Sequence, residues 1–287
     1  MNKITRRNFL GKSTLGMGAA MLAGPLDLIP SEKSGIVKLP VGFQSWIVRE
    51  EIGSDFAGTM KKVARLGYQA VELCSPLGYK DLGFGPLLKL SPKEVKTIIN
   101  DAGLKCESTH YGMSELRDKL DDRIIFALDS GQKQMIISSF GLPEKASLSD
   151  WLKCADEMNR MAIKVNKAGL KFGYHNHHME FAMLDGKLIY DELLKVLDQE
   201  LVKMQFQVAV ISVGYKAADY FKKYKGRFIS AHLADWSKDQ NKQVPVGQGI
   251  VDWKEFFSTI KTGGVKNIFV EMDYSTFPDS IKYLRSL

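Results

Sequence analysis

Five histidines occur in the 287 residues: His110, His175, His177, His178 and His232. Each falls at the C-terminal end of a short apolar run, in LKCESTHYG, LKFGYHNHH or RFISAHLAD. Carboxylates stand in matching places. Glu72 lies in AVEL and Glu271 in FVEMD, with Asp273 two residues further on. Imidazole nitrogens with carboxylate oxygens form a mixed donor set for a divalent metal. The same side chains are the usual general acids and bases. A carboxylate inside an apolar run is costly to bury unless it is paired or metal-bound. Each acid alone could be a satisfied ion pair; gathered with His175 and His232 they point to one metal pocket. Gln205 and Gln207 share a strand face, which suggests that this pocket has a polar lining.

The elements that must position these residues repeat along the chain. Apolar runs begin near residues 41, 68, 104, 134, 170, 202, 227 and 266, about 32 residues apart. That interval fits a strand–loop–helix unit. Eight such units make a (β/α)8 TIM barrel, an α/β fold whose chemistry sits at the C-terminal ends of the strands. Between the runs, Phe56, Met60 and Val63 recur at helical spacing. Ser91-Pro92-Lys93-Glu94 and Asp252-Trp253-Lys254-Glu255 read as helix starts. Gly67, Gly103, Gly169 and Gly264 stand where helices should end. No Pro/Ser-rich linker divides the chain, so residues 36–287 are expected to form one domain.

Composition is ordinary for a globular protein, 45% hydrophobic and 25% charged, which excludes disorder, collagen and coiled coil. Three cysteines, Cys74, Cys106 and Cys154, are not a disulfide framework. The net charge is +7. Residues 1–30 hold Lys3, Arg6, Arg7 and Lys12 against Asp27, which leaves 36 basic against 32 acidic residues beyond them. That excess is too mild for a nucleic-acid partner. The segment 1–30 resembles a twin-arginine export signal: Arg6-Arg7 precedes Phe9-Leu10 and an uncharged stretch from Ser13 to Leu26. The stretch is shorter than the ~20 residues needed to span a bilayer. A periplasmic location without stable membrane insertion is therefore expected.

Four motifs, in order and at barrel spacing, carry a further resemblance: GYHNHHMEF, AHLAD, VGQGIVDW and FVEMD. They are similar to the strand-five, strand-seven, following-loop and strand-eight motifs of the xylose isomerase-like TIM-barrel superfamily, often described as sugar phosphate isomerases/epimerases. The resemblance covers nearly all of residues 38–287. It implies a divalent metal (Mn, Co, Zn or Mg) at the barrel mouth, usually held by Glu, Asp, His and Glu from strands five to eight. Carried over, His232 and Glu271 match. His175 stands where many members have the first Glu, and strand five stays open between His175, His177 and Glu180. Gln207 stands where Asp is expected, Ala234 where Lys is common, and Gln248 where Glu is frequent. The metal set the resemblance implies, His175, Gln207, His232 and Glu271, would bring one negative charge instead of three. Glu72, Glu180 or Asp273 would have to join it, or else the chemistry shifts or metal is lost.

The implied reaction is proton abstraction beside a sugar carbonyl. His177 and Glu180 are the expected bases, with His110 a further catalytic candidate. Gln44, Trp46, Glu72, Tyr111 and Trp236 are expected to contact substrate, and aromatic residues near strand ends (Trp46, Tyr111, Trp236, Tyr274) could stack on a sugar ring or simply pack the rim. The partner is a small, non-phosphorylated carbohydrate, and self-association is left open. Isomerase or epimerase action leads. A lyase or hydratase acting on 3-keto-sugars is the alternative, followed by a non-catalytic sugar-binding barrel.

Overall fold

The computed structural model describes residues 35–287. The export segment expected in residues 1–30 lies outside the described residues. Eight parallel strands close into a barrel: β1 Val41–Gln44, β2 Ala70–Cys74, β3 Lys105–Gly112, β4 Gln134–Ser139, β5 Lys171–His175, β6 Val202–Gln207, β7 Phe228–Leu233 and β8 Asn267–Val270. Each pairs with its neighbours in sequence, and β1 closes the ring against β8. The eight apolar runs are these eight strands. A helix follows each one, including Phe56–Leu66, Pro92–Asp101, Leu148–Lys167 and Trp253–Gly263.

The local signals act as their chemistry dictates. Ser91 Oγ accepts the Glu94 N–H while the Glu94 carboxylate accepts from Ser91, a complete capping box with Pro92 at the first helical position. Asp252 also caps, accepting the Glu255 N–H. The Glu255 carboxylate instead meets Lys222, so that box is half made. Gly67 and Gly264 end their helices at φ of 111° and 95°, a backbone state that a side chain resists.

Two strands give way to a 3₁₀ turn while their apolar pattern runs on. VGFQSWIV leaves the sheet after Gln44 and continues as a 3₁₀ turn over Ser45–Val48. VKMQFQVAVI does the same after Gln207, over Val208–Val213. In both, the glutamine side chain folds forward to accept a backbone N–H two residues on, from Trp46 and from Ala209. That bond ends the strand and turns the chain across the barrel mouth.

Inside the barrel an apolar floor lies under a polar layer. A Cβ at Gly42 would stand 2.5 Å from Phe269 Cδ1, and one at Gly173 would stand 2.6 Å from Ile136 Cδ1. Glycine at these two positions lets large side chains fill the axis. Above them lie Gln44, Glu72, Ser108, Gln205, Ser230 and His232, each essentially unexposed. The register sets Gln44 beside Glu72, Glu72 beside Ser108, and Gln207 beside His232. Among the described residues, no helix is long and apolar enough to cross a membrane.

Candidate active site

The polar layer is organised around one buried carboxylate. Glu72 Oε1 accepts from Ser108 Oγ at 2.6 Å and Gln205 Nε2 at 2.8 Å. Its Oε2 accepts from Gln44 Nε2 at 2.8 Å and His232 Nε2 at 2.5 Å. His110 Nε2 also faces Oε2, at 3.0 Å, and Gln205 Oε1, at 2.6 Å. Burial would raise the Glu72 pKa, but His110 and His232 outweigh it and hold the carboxyl well below the usual range.

His232 bridges two acids. Its Nδ1 donates to Glu271 Oε2 at 2.8 Å, opposite the Nε2 bond to Glu72. Burial would lower its pKa, yet the Glu271 and Glu72 carboxylates raise it to about 10. At neutral pH the ring is therefore an imidazolium, clamped between two carboxylates. Glu271 is lowered from its ordinary value in return, because His232 outweighs its burial. Gln207 Nε2 donates to the same Glu271 oxygen at 2.5 Å, and Gln207 Oε1 is taken by the Ala209 N–H.

His175 is different. It is buried, and both of its ring nitrogens lack a partner. Burial, then the His232 charge, pushes its pKa well below the ordinary value, so the ring is neutral with a free lone pair. Its Nε2 lies 4.0 Å from Glu271 Oε2. An unsatisfied buried polar group costs ~1–3 kcal/mol, and a cation between His175 and Glu271 would remove that cost. His110, His175 and His232 can each offer a ring nitrogen within 4.8 Å of the others. Of the three, only His175 is uncommitted; His110 Nε2 and both nitrogens of His232 already face carboxylate or amide oxygens. The residues thus fit a divalent cation held by His175, Glu271 and, once an incoming cation displaces its Nδ1 proton, His232. Gln207 presents its amide nitrogen to Glu271 rather than its oxygen to that point.

A cavity of about 450 Å³ opens above this cluster at the C-terminal mouth. The strand ends supply His110, Gln207 and Glu271, and the loops beyond supply His177, His178, Trp46 and Tyr79. Trp46 and Tyr79 meet edge to face at 6.0 Å. Among the described residues, no Lys or Arg lines the cavity. His177 keeps an unpartnered Nδ1, and burial lowers its pKa to about 4. The His178 Nε2 bonds to the Ala209 carbonyl and Ser212 Oγ, tying that ring to the β6 loop.

Other expected residues stand elsewhere. Glu180 is buried off the cavity, where it accepts from Tyr174 Oη at 2.5 Å and the His177 backbone N–H at 2.7 Å. That geometry supports the His177 turn and gives no path to substrate. Tyr111 alternates with His110 and so points outward from the barrel, its hydroxyl bonded to Gln132. Gln44 and Glu72 lie under the cavity, in the polar layer. Trp236 belongs to the hairpin Asp235–Ser237 with Lys242–Val244, beside Gln243, and it is Gln243 that lines the cavity. Asp273 caps the following turn through Ser275, and Tyr274 packs on Phe277.

Sequence reasoning missed Asp235, in AHLAD. Its carboxylate, 1% exposed, accepts from the backbone N–H groups of Trp236, Gly247, Gly249 and Val251 and from Trp253 Nε1. One buried acid therefore folds the whole VGQGIVDW loop onto the end of β7. The visible signal was an acid at a strand end followed by a glycine-rich loop carrying a tryptophan.

A comparison with curated protein sequences finds no match. Among solved structures, a sugar phosphate isomerase/epimerase from Parabacteroides distasonis ATCC 8503 is similar at 23% identity and TM-score 0.71, over 86% of this chain and 93% of that one. The probable 3-DHS dehydratase of petrobactin synthesis from Bacillus anthracis is similar at 12% identity and TM-score 0.66, over 86% and 98%. The 3-keto-D-glucoside 4-epimerase of E. coli is similar at 16% identity and TM-score 0.62, over 87% and 100%. At these identities the likeness is one of fold. The sequence model of the xylose isomerase-like TIM barrel matches residues 60–287, and with the closed barrel and its polar mouth this places the chain in the xylose isomerase-like TIM-barrel family.

Proposed function

We propose that the protein is a sugar isomerase or epimerase that enolises an uncharged carbohydrate beside its carbonyl group. The observation that carries this reading is the cavity itself. It joins a histidine–carboxylate cluster to an aromatic wall, and among the described residues no Lys or Arg lines it to hold a phosphate. Trp46 and Tyr79 offer apolar faces for a sugar ring. Ser138, Ser139 and Gln243 offer hydrogen bonds to its hydroxyls.

The neutral His177 ring is the base. It takes the proton from the carbon next to the carbonyl, and Glu180 holds it in place through the backbone. Return of the proton to the opposite face gives an epimer; return to the neighbouring carbon gives an isomer. His110, whose Nε2 is held by Gln205 and Glu72, is the second proton carrier at the wall, through its other ring nitrogen. His175, His232 and Glu271 would hold a divalent cation, with Gln207 orienting Glu271. What such a cation supplies when bound is positive charge beside the developing enediolate.

A second reading, a lyase or hydratase on 3-keto-sugars, is favoured by one feature. Gln207 adds an amide donor, not a carboxylate, to the cluster. Export to the periplasm, from the 1–30 segment, fits free or oxidised sugars under either reading. Incubation of the Mn²⁺-loaded protein with ketoses, aldoses and 3-keto-glucosides in deuterated water tests both. Deuterium in a product of unchanged composition supports isomerisation or epimerisation. Loss or gain of water supports the second reading. Saccharide binding with neither deuterium entering the sugar nor any change in its composition would refute both.

A further inference from the structure

Glu72 cannot touch substrate. It has no exposed surface, lies beneath the cavity and is not among its lining residues. Yet it is the most heavily bonded side chain of the polar layer. Ser108 and Gln205 hold Oε1, which fixes the carboxylate plane and leaves Oε2 for Gln44, His110 and the Nε2 of His232. Four of these five partners come from strands other than the one that carries His232 or Glu72, and so the carboxylate is located by the barrel as a whole. The consequence falls on the imidazole above it. With Nε2–H committed downward to Glu72, Nδ1 alone is directed at Glu271 and toward the unpartnered His175.

Resting on the cation-assisted reading of this site, we propose that Glu72 is its positioning residue. It holds the proton on Nε2 of His232, so that Nδ1 is the nitrogen that gives up its proton and is offered to a divalent cation. From one layer below, it also supplies the negative charge that the mouth lacks. The charge argument is specific to this chain. Where related barrels are expected to bring three carboxylates, His175 and Gln207 leave only Glu271 in the cluster. Glu180 is turned away to Tyr174, and Asp273 to Ser275. Glu72 is the remaining acid, and it reaches the cation side of the site through the His232 imidazole. Outer partners of this kind orient a ligand histidine and raise its basicity, and their loss weakens metal binding about 10–100-fold.

The test measures binding and tautomer, not turnover. Mn²⁺ affinity is determined by calorimetry for the intact protein, for Glu72→Gln and for Glu271→Gln. The proposal expects Glu72→Gln to weaken Mn²⁺ roughly 10–100-fold, although Glu72 is no ligand. Affinity within twofold of the unaltered protein would overturn it. A second measurement needs no variant and so survives a Glu72→Gln protein that fails to fold. In the Zn²⁺-loaded, ¹⁵N-labelled protein, long-range ¹H–¹⁵N correlations report which His232 nitrogen carries the proton. A proton on Nε2 supports the proposal, and a proton on Nδ1 with Nε2 on the metal overturns it. If the unaltered protein binds neither ion, the cation reading itself falls and Glu72 positioning falls with it. A bound ion with either contrary result removes only the role of Glu72.

Discussion

Replacing Asp235 with Asn is the sharpest test of how the mouth of the barrel is built. The side chain keeps its shape, so packing changes little. Its chemistry inverts at one atom, because an NH₂ group replaces an oxygen that now accepts N–H bonds. Oδ2 accepts from Gly247 N at 2.9 Å, Gly249 N at 3.2 Å and Trp253 Nε1 at 2.8 Å. Oδ1 accepts from Trp236 N at 2.9 Å and Val251 N at 3.1 Å. Whichever way the amide turns, two or three donors meet another donor. Hydrogen bonds to a charged group contribute ~1.5–3 kcal/mol each. Water reaching the loose loop will recover part of that, so about 3 kcal/mol is the expected loss. For a domain of this size, 1 kcal/mol shifts Tm by about 2–4 °C; the expected fall is therefore ~6–12 °C. Thermal and urea unfolding measure it. Hydrogen exchange should localise the change, with the amides of residues 247–251 losing protection while those of β1 to β6 keep theirs. A loss under ~1 kcal/mol, or unchanged exchange in the loop, would refute the view that this one carboxylate organises the segment.

Three other outcomes are expected. The folded His232 pKa lies above that of a free imidazole, so its contribution to stability is full below ~6.5 and lost as pH rises toward about 10. His177 is depressed to about 4 and contributes the other way, with stability falling as pH drops below ~6.5; urea midpoints from pH 4 to 10 should therefore peak near neutrality, and a flat profile on the alkaline side would count against the imidazolium. Gln207→Asp sets a second carboxylate against Glu271 in place of an amide donor; Tm should fall without Mn²⁺ and recover beyond the unaltered protein with it, whereas a fall in both conditions would deny that residue 207 faces the cation. Tyr111→Phe removes only the bond to Gln132, so it should cost ~1 kcal/mol of stability and leave saccharide affinity unchanged; weaker sugar binding by calorimetry would return Tyr111 to the cavity.

The barrel was legible because strand and helix alternate eight times along the chain, and caps at several of the helices reinforce that repeat. The strand ends were less so. At Gln44 and Gln207 the apolar pattern runs on, but a side chain captures the backbone, and hydrophobicity does not register that bond. Period two also decides Tyr111: with His110 inward, its neighbour must face the helices. The positions of Glu72 and Glu180 were not readable from local sequence. Both are acids in apolar surroundings, so each needed a partner, but their partners lie on other strands or in a turn. Glu72 finds Gln44, Ser108, Gln205 and His232 across the barrel, while Glu180 folds back on Tyr174. Burial cost shows that an acid must be satisfied; only the closed barrel shows by what.

The most direct test is a crystal soaked in Mn²⁺ and measured for anomalous scattering. A single peak within coordinating distance of His175, His232 Nδ1 and Glu271 is expected, and Glu271→Gln should abolish it. A peak elsewhere in the barrel, or none in protein whose binding is saturated in solution, would contradict a cation-assisted sugar site at this mouth.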